Sequence, residues 1–169
     1  MTNPLLDHFR MLAQYNKLAN ATLYAACARL TDEEYHKTRP AFFRSIHGTL
    51  NHLLVGDRIW MGRFEGPPMP STPLAAVLHA TLADLQSARV TEDTRIDVFA
   101  QRLEMALVAG HMTYTNNAGM RCRDPVTLLL AHFFNHQTHH RGQVHDMLSQ
   151  TAVPPPSLDM HRLIGPEPV

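Results

Sequence analysis

Apolar positions recur at helical spacing in four stretches of the chain. Over residues 4 to about 30, Leu5, Leu6, Phe9, Leu12, Ala13, Leu23, Cys27 and Leu30 share one face, and the pattern stops at Thr31-Asp32. A loop over residues 31–44 follows. Ser45 then suits the cap of a second helix, residues 46 to about 64, whose stripe is Ile46, Leu50, Leu53, Leu54, Met61 and Phe64 and whose end is Gly66-Pro67-Pro68. Residues 66–73 read as a loop. A third helical region runs from 74 to about 106, broken near Val90-Thr91, with Leu82, Leu85, Ile96, Phe99, Leu103 and Leu107 inside. Residues 107–123 mix β-formers with turn residues and predict an extended crossover holding a short hairpin. The fourth helix starts with Asp124 as its N-cap and Pro125 at its first position. Its stripe is Val126, Leu129, Leu130, Phe133, Val144, Met147 and Leu148, within an arc of roughly 100°. From about residue 151 a proline-rich tail cannot continue that helix and wraps the surface. Four amphipathic helices with one long crossover before the last predict an all-α four-helix bundle, a single domain over 1–169, in a fold that builds metal sites from inward-facing side chains.

Polar residues interrupt these stripes, and they carry the chemistry. Asn16 and Asn20 fall within the first stripe, where an amide must be paired or cost free energy. They either bond across helices or line a polar site. Two amides one turn apart exceed what a single interhelical bond requires, which favours the site. Asp57 lies on the second stripe. On the fourth helix stand five of the chain's twelve histidines, His132, His136, His139, His140 and His145. His136 and His140 share the core-facing stripe, His132 and His139 lie on its flank, and His145 lies on the other side. Two core-facing imidazoles one turn apart are satisfied together by a metal ion, since i, i+4 spacing places them about 6 Å apart along the axis, within reach of one ion at about 2.1 Å per bond. A third ligand must come from another segment. On the second helix, phase favours His47, at the edge of the stripe, over His52, which shares a weaker apolar side with Val55 and Ile59. A ferritin-like di-iron site is a poor match, because it needs two Glu-x-x-His motifs and the chain offers only Glu33-x-x-His36.

Composition narrows the function. The chain has 169 residues and a formal net charge of zero, and no Lys/Arg block interleaves with aromatics, so it lacks the footprint of a nucleic-acid binder. A small-molecule substrate is expected. No apolar run matches a membrane span and no signal-type segment stands at the N-terminus, which predicts a cytoplasmic protein without a membrane partner. The two cysteines, Cys27 and Cys122, give no thiolate metal motif.

Three motifs resemble those of the DinB (damage-inducible) superfamily: Tyr15-Asn16-Lys-Leu-Ala-Asn20 on the first helix, Asn51-His52-Leu-Leu-x-x-Asp57-x-x-Trp60 on the second, and Asn135-His136-x-x-His139-His140-Arg141-Gly142-Gln143 on the fourth. The resemblance implies an up-down-down-up bundle, often dimeric, so that a homodimer is expected, in which one histidine of the second helix and two of the fourth bind one divalent metal. By motif the ligands are His52, His136 and His140. The offsets to Asp57 and Trp60 fit His52 and outweigh the phase argument for His47. The tail after residue 150, with Pro154-Pro155-Pro156-Ser157-Leu158-Asp159 in place of a final amphipathic helix, departs from the family pattern.

Three neutral imidazoles leave a coordination position open, as in catalytic rather than structural zinc sites, and such an ion lowers the pKa of a bound water or thiol. Zinc is expected first, from availability, and nickel second, with iron, manganese and copper the other candidates. Asn16, Asn20, Asp57, Arg141 and Gln143 are candidates to line the pocket or orient ligands. Relatives implied by the resemblance use low-molecular-weight thiols, so one expectation is a metal-dependent thiol S-transferase or hydrolase. The other is a metal-binding stress-response protein without turnover. A capped metal would favour the second, an accessible one the first.

Overall fold

The structure, a computed structural model, describes residues 3–66 and 72–165. It is mostly helical, with one small two-stranded sheet. Helix α1, Pro4–Cys27, begins where the Asn3 side chain accepts the N–H groups of Leu5 and Leu6, and it ends at Cys27 rather than Leu30. The expected loop after it contains a short helix, α2, Asp32–His36. Its cause is local: the Thr31 hydroxyl accepts the Glu34 N–H, and three acidic residues occupy the positive end of the helix dipole. Helix α3, Ile46–Glu65, starts at Ser45 as the sequence predicts, the hydroxyl accepting the Gly48 N–H, and ends at Gly66, whose φ of 55° suits a glycine. The loop expected at 66–73 lies largely outside the described residues.

Helix α4, Leu82–Gln101, begins eight positions after the expected start at Leu74 and runs through Val90-Thr91 without a break. The late start has a physical reason. The Asn51 side chain on α3 accepts the N–H groups of Leu78 and His79 and donates to the carbonyl of His79, so this stretch spends its backbone on α3 instead of on a helix of its own. Thr91 and Thr94 are absorbed because their hydroxyls bond back to the carbonyls of Ser87 and Val90. A single turn, α5, Met105–Val108, leads into the predicted hairpin: β1, His111–Thr115, pairs antiparallel with β2, Arg121–Pro125, Tyr114 opposite Cys122. Helix α6 is Val126–Ser149. Asp124 is not its cap: it belongs to β2 and accepts the Tyr114 hydroxyl at 3.0 Å, while Pro125 holds the cap position with no side-chain bond. The tail does cross the surface. Pro156 and Leu158 present their carbonyls to His145 and to the Tyr15 hydroxyl, and a short helix, α7, Met160–Ile164, packs on α1.

Helix α1 packs against α4 and α6, and α3 packs against the same two. Their apolar stripes form two separate cores. One gathers Leu23, Ile46, Leu50, Leu54, Leu85, Met147 and Leu148, the other Phe9, Ala13, Met61, Ile96, Leu130 and Phe133. Between them in sequence level, on all four long helices, lies a buried polar layer: Asn16 and Asn20, Asp57, Arg89 and Asp93, and Arg141. Arg89 pairs with Asp57 and, at 3.1 Å, with Asp93; Asp93 accepts the amides of Asn16 and Asn20 at 3.1 and 2.9 Å; Arg141 donates to the Asn16 and Asn20 oxygens. Arg89 is thereby paired with both aspartates, and Arg141 is linked to Asp93 through the two amides, an arrangement in which charged groups tolerate burial.

Candidate metal centre

His136 and His140 project from successive turns of α6, and His52 meets them from α3. The Nε2 of His52 lies 3.1 Å from the Nε2 of His136 and 3.1 Å from that of His140. One ligand atom from each of the three lies within 4.8 Å of the others.

The hydrogen bonds behind the rings define which nitrogens carry protons. His52 Nδ1 lies 2.8 Å from the carbonyl oxygen of Leu74, which can only accept, so Nδ1 is the protonated nitrogen and Nε2 presents its lone pair. His140 Nδ1 stands 2.8 Å from the side-chain oxygen of Gln143 and is oriented in the same way. Gln143 is fixed in turn, its amide nitrogen 3.0 Å from His139 Nε2. Two bare lone pairs 3.1 Å apart repel unless a cation stands between them. Two nitrogens at about 2.1 Å from a tetrahedral ion are separated by about 3.4 Å. The donor set therefore fits a divalent metal at His52, His136 and His140. Burial and the neighbouring imidazoles push the pKa of His136 down to about 3, and burial pushes that of His140 down to about 4. Burial lowers that of His52 as well. Neutral imidazoles are the form that ligates.

The walls are equally specific. The Phe43 ring stacks on His52 at a centroid distance of 3.8 Å and an interplanar angle of 16°, and it meets His140 edge-on. A tight loop delivers it. Arg44 adopts a left-handed φ of 66°, and the Phe43 carbonyl sits where any side chain on Gly48 would collide with it. One turn after His52, Gly56 leaves room for His136, whose Cε1 would lie 2.9 Å from a β-carbon at that position. On one side of the histidines opens a cavity of about 410 Å³ lined by His52, His136, Gly56, Trp60, Arg63 and Tyr114 among others.

The sequence-predicted residues divide between this site and the polar layer. His52, His136, His140 and Gln143 come together. Asn16, Asn20, Asp57 and Arg141 lie in the buried layer, where Asn16 and Asn20 tie α1 to α4 and α6; none of the four lines the cavity. His47, favoured by phase, is elsewhere: its Nε2 is 3.0 Å from the His79 carbonyl and its ring packs on Tyr35 and His36. His132 stands at the cavity edge against Trp60, and His145 holds the tail. Sequence reasoning missed Phe43, Gly56 and Arg63. Only Gly56 carried a signal, a lone glycine inside a helix, which costs stability unless a close approach requires it.

A family model for the DinB family matches residues 1–167. "Protein DinB" of Bacillus subtilis (strain 168) is 28% identical over 147 residues, covering 82% of this chain and 83% of that protein.

Proposed function

The chain belongs to the DinB family, and from that premise we propose that it binds one divalent metal ion at His52, His136 and His140 and uses it on a low-molecular-weight thiol, as an S-transferase or hydrolase. The observation that carries this reading is the pair of outward-anchored imidazoles. With Nδ1 of His52 held by Leu74 and Nδ1 of His140 held by Gln143, the lone pairs are aimed inward before any ion arrives. A bound divalent ion supplies Lewis acidity and lowers the pKa of a coordinated thiol or water. The chain's own residues do the rest. Phe43 shields one face of His52, Trp60 and Tyr114 wall the cavity, and the open side admits a small molecule to the histidines. No helix among the described residues is long and apolar enough to cross a membrane.

We also read the four long helices as the up-down-down-up bundle. The pairs Arg10–Gln101, Lys17–Asp97 and Asn20–Asp93 run in opposite directions along α1 and α4. Those of α3 with α4, Asp57–Arg89, Arg58–Glu92 and Glu65–Arg95, run in the same direction. His52–His140 and Trp60–His132 run oppositely along α3 and α6.

Cobalt-substituted protein tests the thiol reading. Addition of small thiols should produce sulfur-to-cobalt charge-transfer absorption, and metal-replete protein, but not metal-stripped protein, should consume the thiol with a model electrophile. Metal-replete protein that shows neither response to any of a panel of cellular thiols would support metal binding without turnover.

A further inference from the structure

Arg63 lines the cavity beside the histidines, yet among the described residues it has no acidic partner. Arg39 pairs with Glu34, Arg89 with Asp57 and Asp93, and Arg95 with Glu65 and Glu92, whereas Arg141, which has only amide and hydroxyl acceptors, is buried away from this cavity. The Arg63 guanidinium is half-buried, 4.6 Å from the Trp60 ring centroid and 5.0 Å from that of Tyr114. Its Nη2 donates to the Thr115 carbonyl and to the Asn117 side-chain oxygen, both at 3.1 Å. These contacts fix the group in place without neutralising it. Its Nε and Nη1 have no acceptor among the described residues.

Among the described residues no aspartate or glutamate lines this cavity, whereas Arg63 and three histidines do. Partial desolvation of a cation with only neutral acceptors is costly unless a ligand returns the missing charge. Arg63 also stands two turns beyond Gly56, the residue that accommodates His136, so the backbone positions of the two are about 10 Å apart along α3. The apolar walls between, Ile59, Trp60 and Leu74, suit a short carbon skeleton.

We propose that this cavity takes an anionic small molecule, with Arg63 anchoring its oxyanion, a carboxylate or a phosphate, and a short carbon skeleton reaching along the shared cavity to the histidines. That the far end of the ligand lies at a metal rests on the function proposed above; the anchoring at Arg63 does not.

Trp60 is the chain's single tryptophan and touches both Arg63 and the cavity, so its fluorescence reports occupancy with or without metal. Zinc-loaded and metal-stripped full-length protein would each be titrated with octanoate, octyl phosphate and the neutral 1-octanol. In both forms at least one anion should bind about tenfold or more tightly than the alcohol, as a charge-assisted contact provides. Comparison of the two anions distinguishes carboxylate from phosphate. Arg63→Gln should erase the preference for the anion, and Arg63→Lys should keep part of it. Equal affinity for anion and alcohol in the wild-type protein, or a preference that survives Arg63→Gln, would overturn the assignment. A preference that needs zinc and ignores Arg63 would refute the anchor and leave the metal reading standing. Protein that takes up no metal but keeps an Arg63-dependent preference would do the reverse.

Discussion

The ring of His136 occupies the space that a side chain on Gly56 would fill, its Cε1 lying 2.9 Å from the position of a β-carbon there. Gly56 sits mid-helix in α3, where alanine would otherwise stabilise by about 1 kcal/mol. Gly56→Ala is therefore predicted to keep the protein folded while displacing His136. Metal affinity should fall by about 10- to 100-fold, the range seen when the surroundings of a ligand are disturbed. A competition titration with a chelating indicator measures this, and unchanged affinity would show that the ring has room to move.

In the polar layer, Arg141 and Asn20 should matter for stability and not for metal. Arg141→Met removes the cation that faces Asn16 and Asn20 near Asp93, and breaking a buried charge network in this way costs about 3–5 kcal/mol. Asn20→Leu removes one donor to Asp93 and should cost about 1–3 kcal/mol. Denaturant unfolding gives both values. Metal content that fell in Asn20→Leu without loss of stability would assign these amides to the site after all.

Acid should destabilise the metal-free protein through the ligand histidines. The folded-state pKa of His136 is about 3 and that of His140 about 4, both below the ordinary value near 6.5. As pH falls below about 6.5 the unfolded chain takes up protons that the folded one refuses, so this contribution to stability is full above about 6.5 and is lost as pH drops toward 4. The buried carboxyls act in the opposite sense, burial raising the pKa values of Asp57 and Asp93 against the pull of Arg89. The difference between metal-free wild type and metal-free His136→Gln cancels their effect. Wild type should lose stability relative to the variant between pH 7 and pH 4.5; a constant difference would contradict the depressed pKa.

The two apolar cores predict that a metal bound at the three histidines adds to a protein already folded. Metal-stripped protein should unfold cooperatively at a lower temperature than the loaded form, and the gap should widen with free metal, as binding to the native state requires. Absence of a cooperative transition without metal would make the ion structural. Calorimetry distinguishes the two.

The four long helices were legible in the sequence because apolar positions recur on one face of each, and the hairpin because β-formers flank Asn116-Asn117-Ala118-Gly119. His136 and His140 were legible because both lie on the stripe of α6. His52 was not, from phase alone: the histidines meet at the seam of α3 and α6, off the main core stripe of α3, and only the motif offsets pointed there. Asn51, 27 and 28 positions from the backbone groups it captures at Leu78 and His79, delays α4 by a contact that no local propensity records. Asp124 had the chemistry of a cap, but its strand pairing and the Tyr114 hydroxyl claimed it first. Asn16 and Asn20 looked like site residues because their partners, Asp93 and Arg141, stand on helices more than 70 positions away.

Metal content of purified single variants tests the central claim most directly. Elemental analysis should find one divalent ion per chain in the wild type, none retained in His136→Ala or His140→Ala, severe loss in His52→Ala, and near-full content in His47→Ala, His139→Ala and His145→Ala. Full content in His52→Ala with loss in His47→Ala would contradict the three-histidine site.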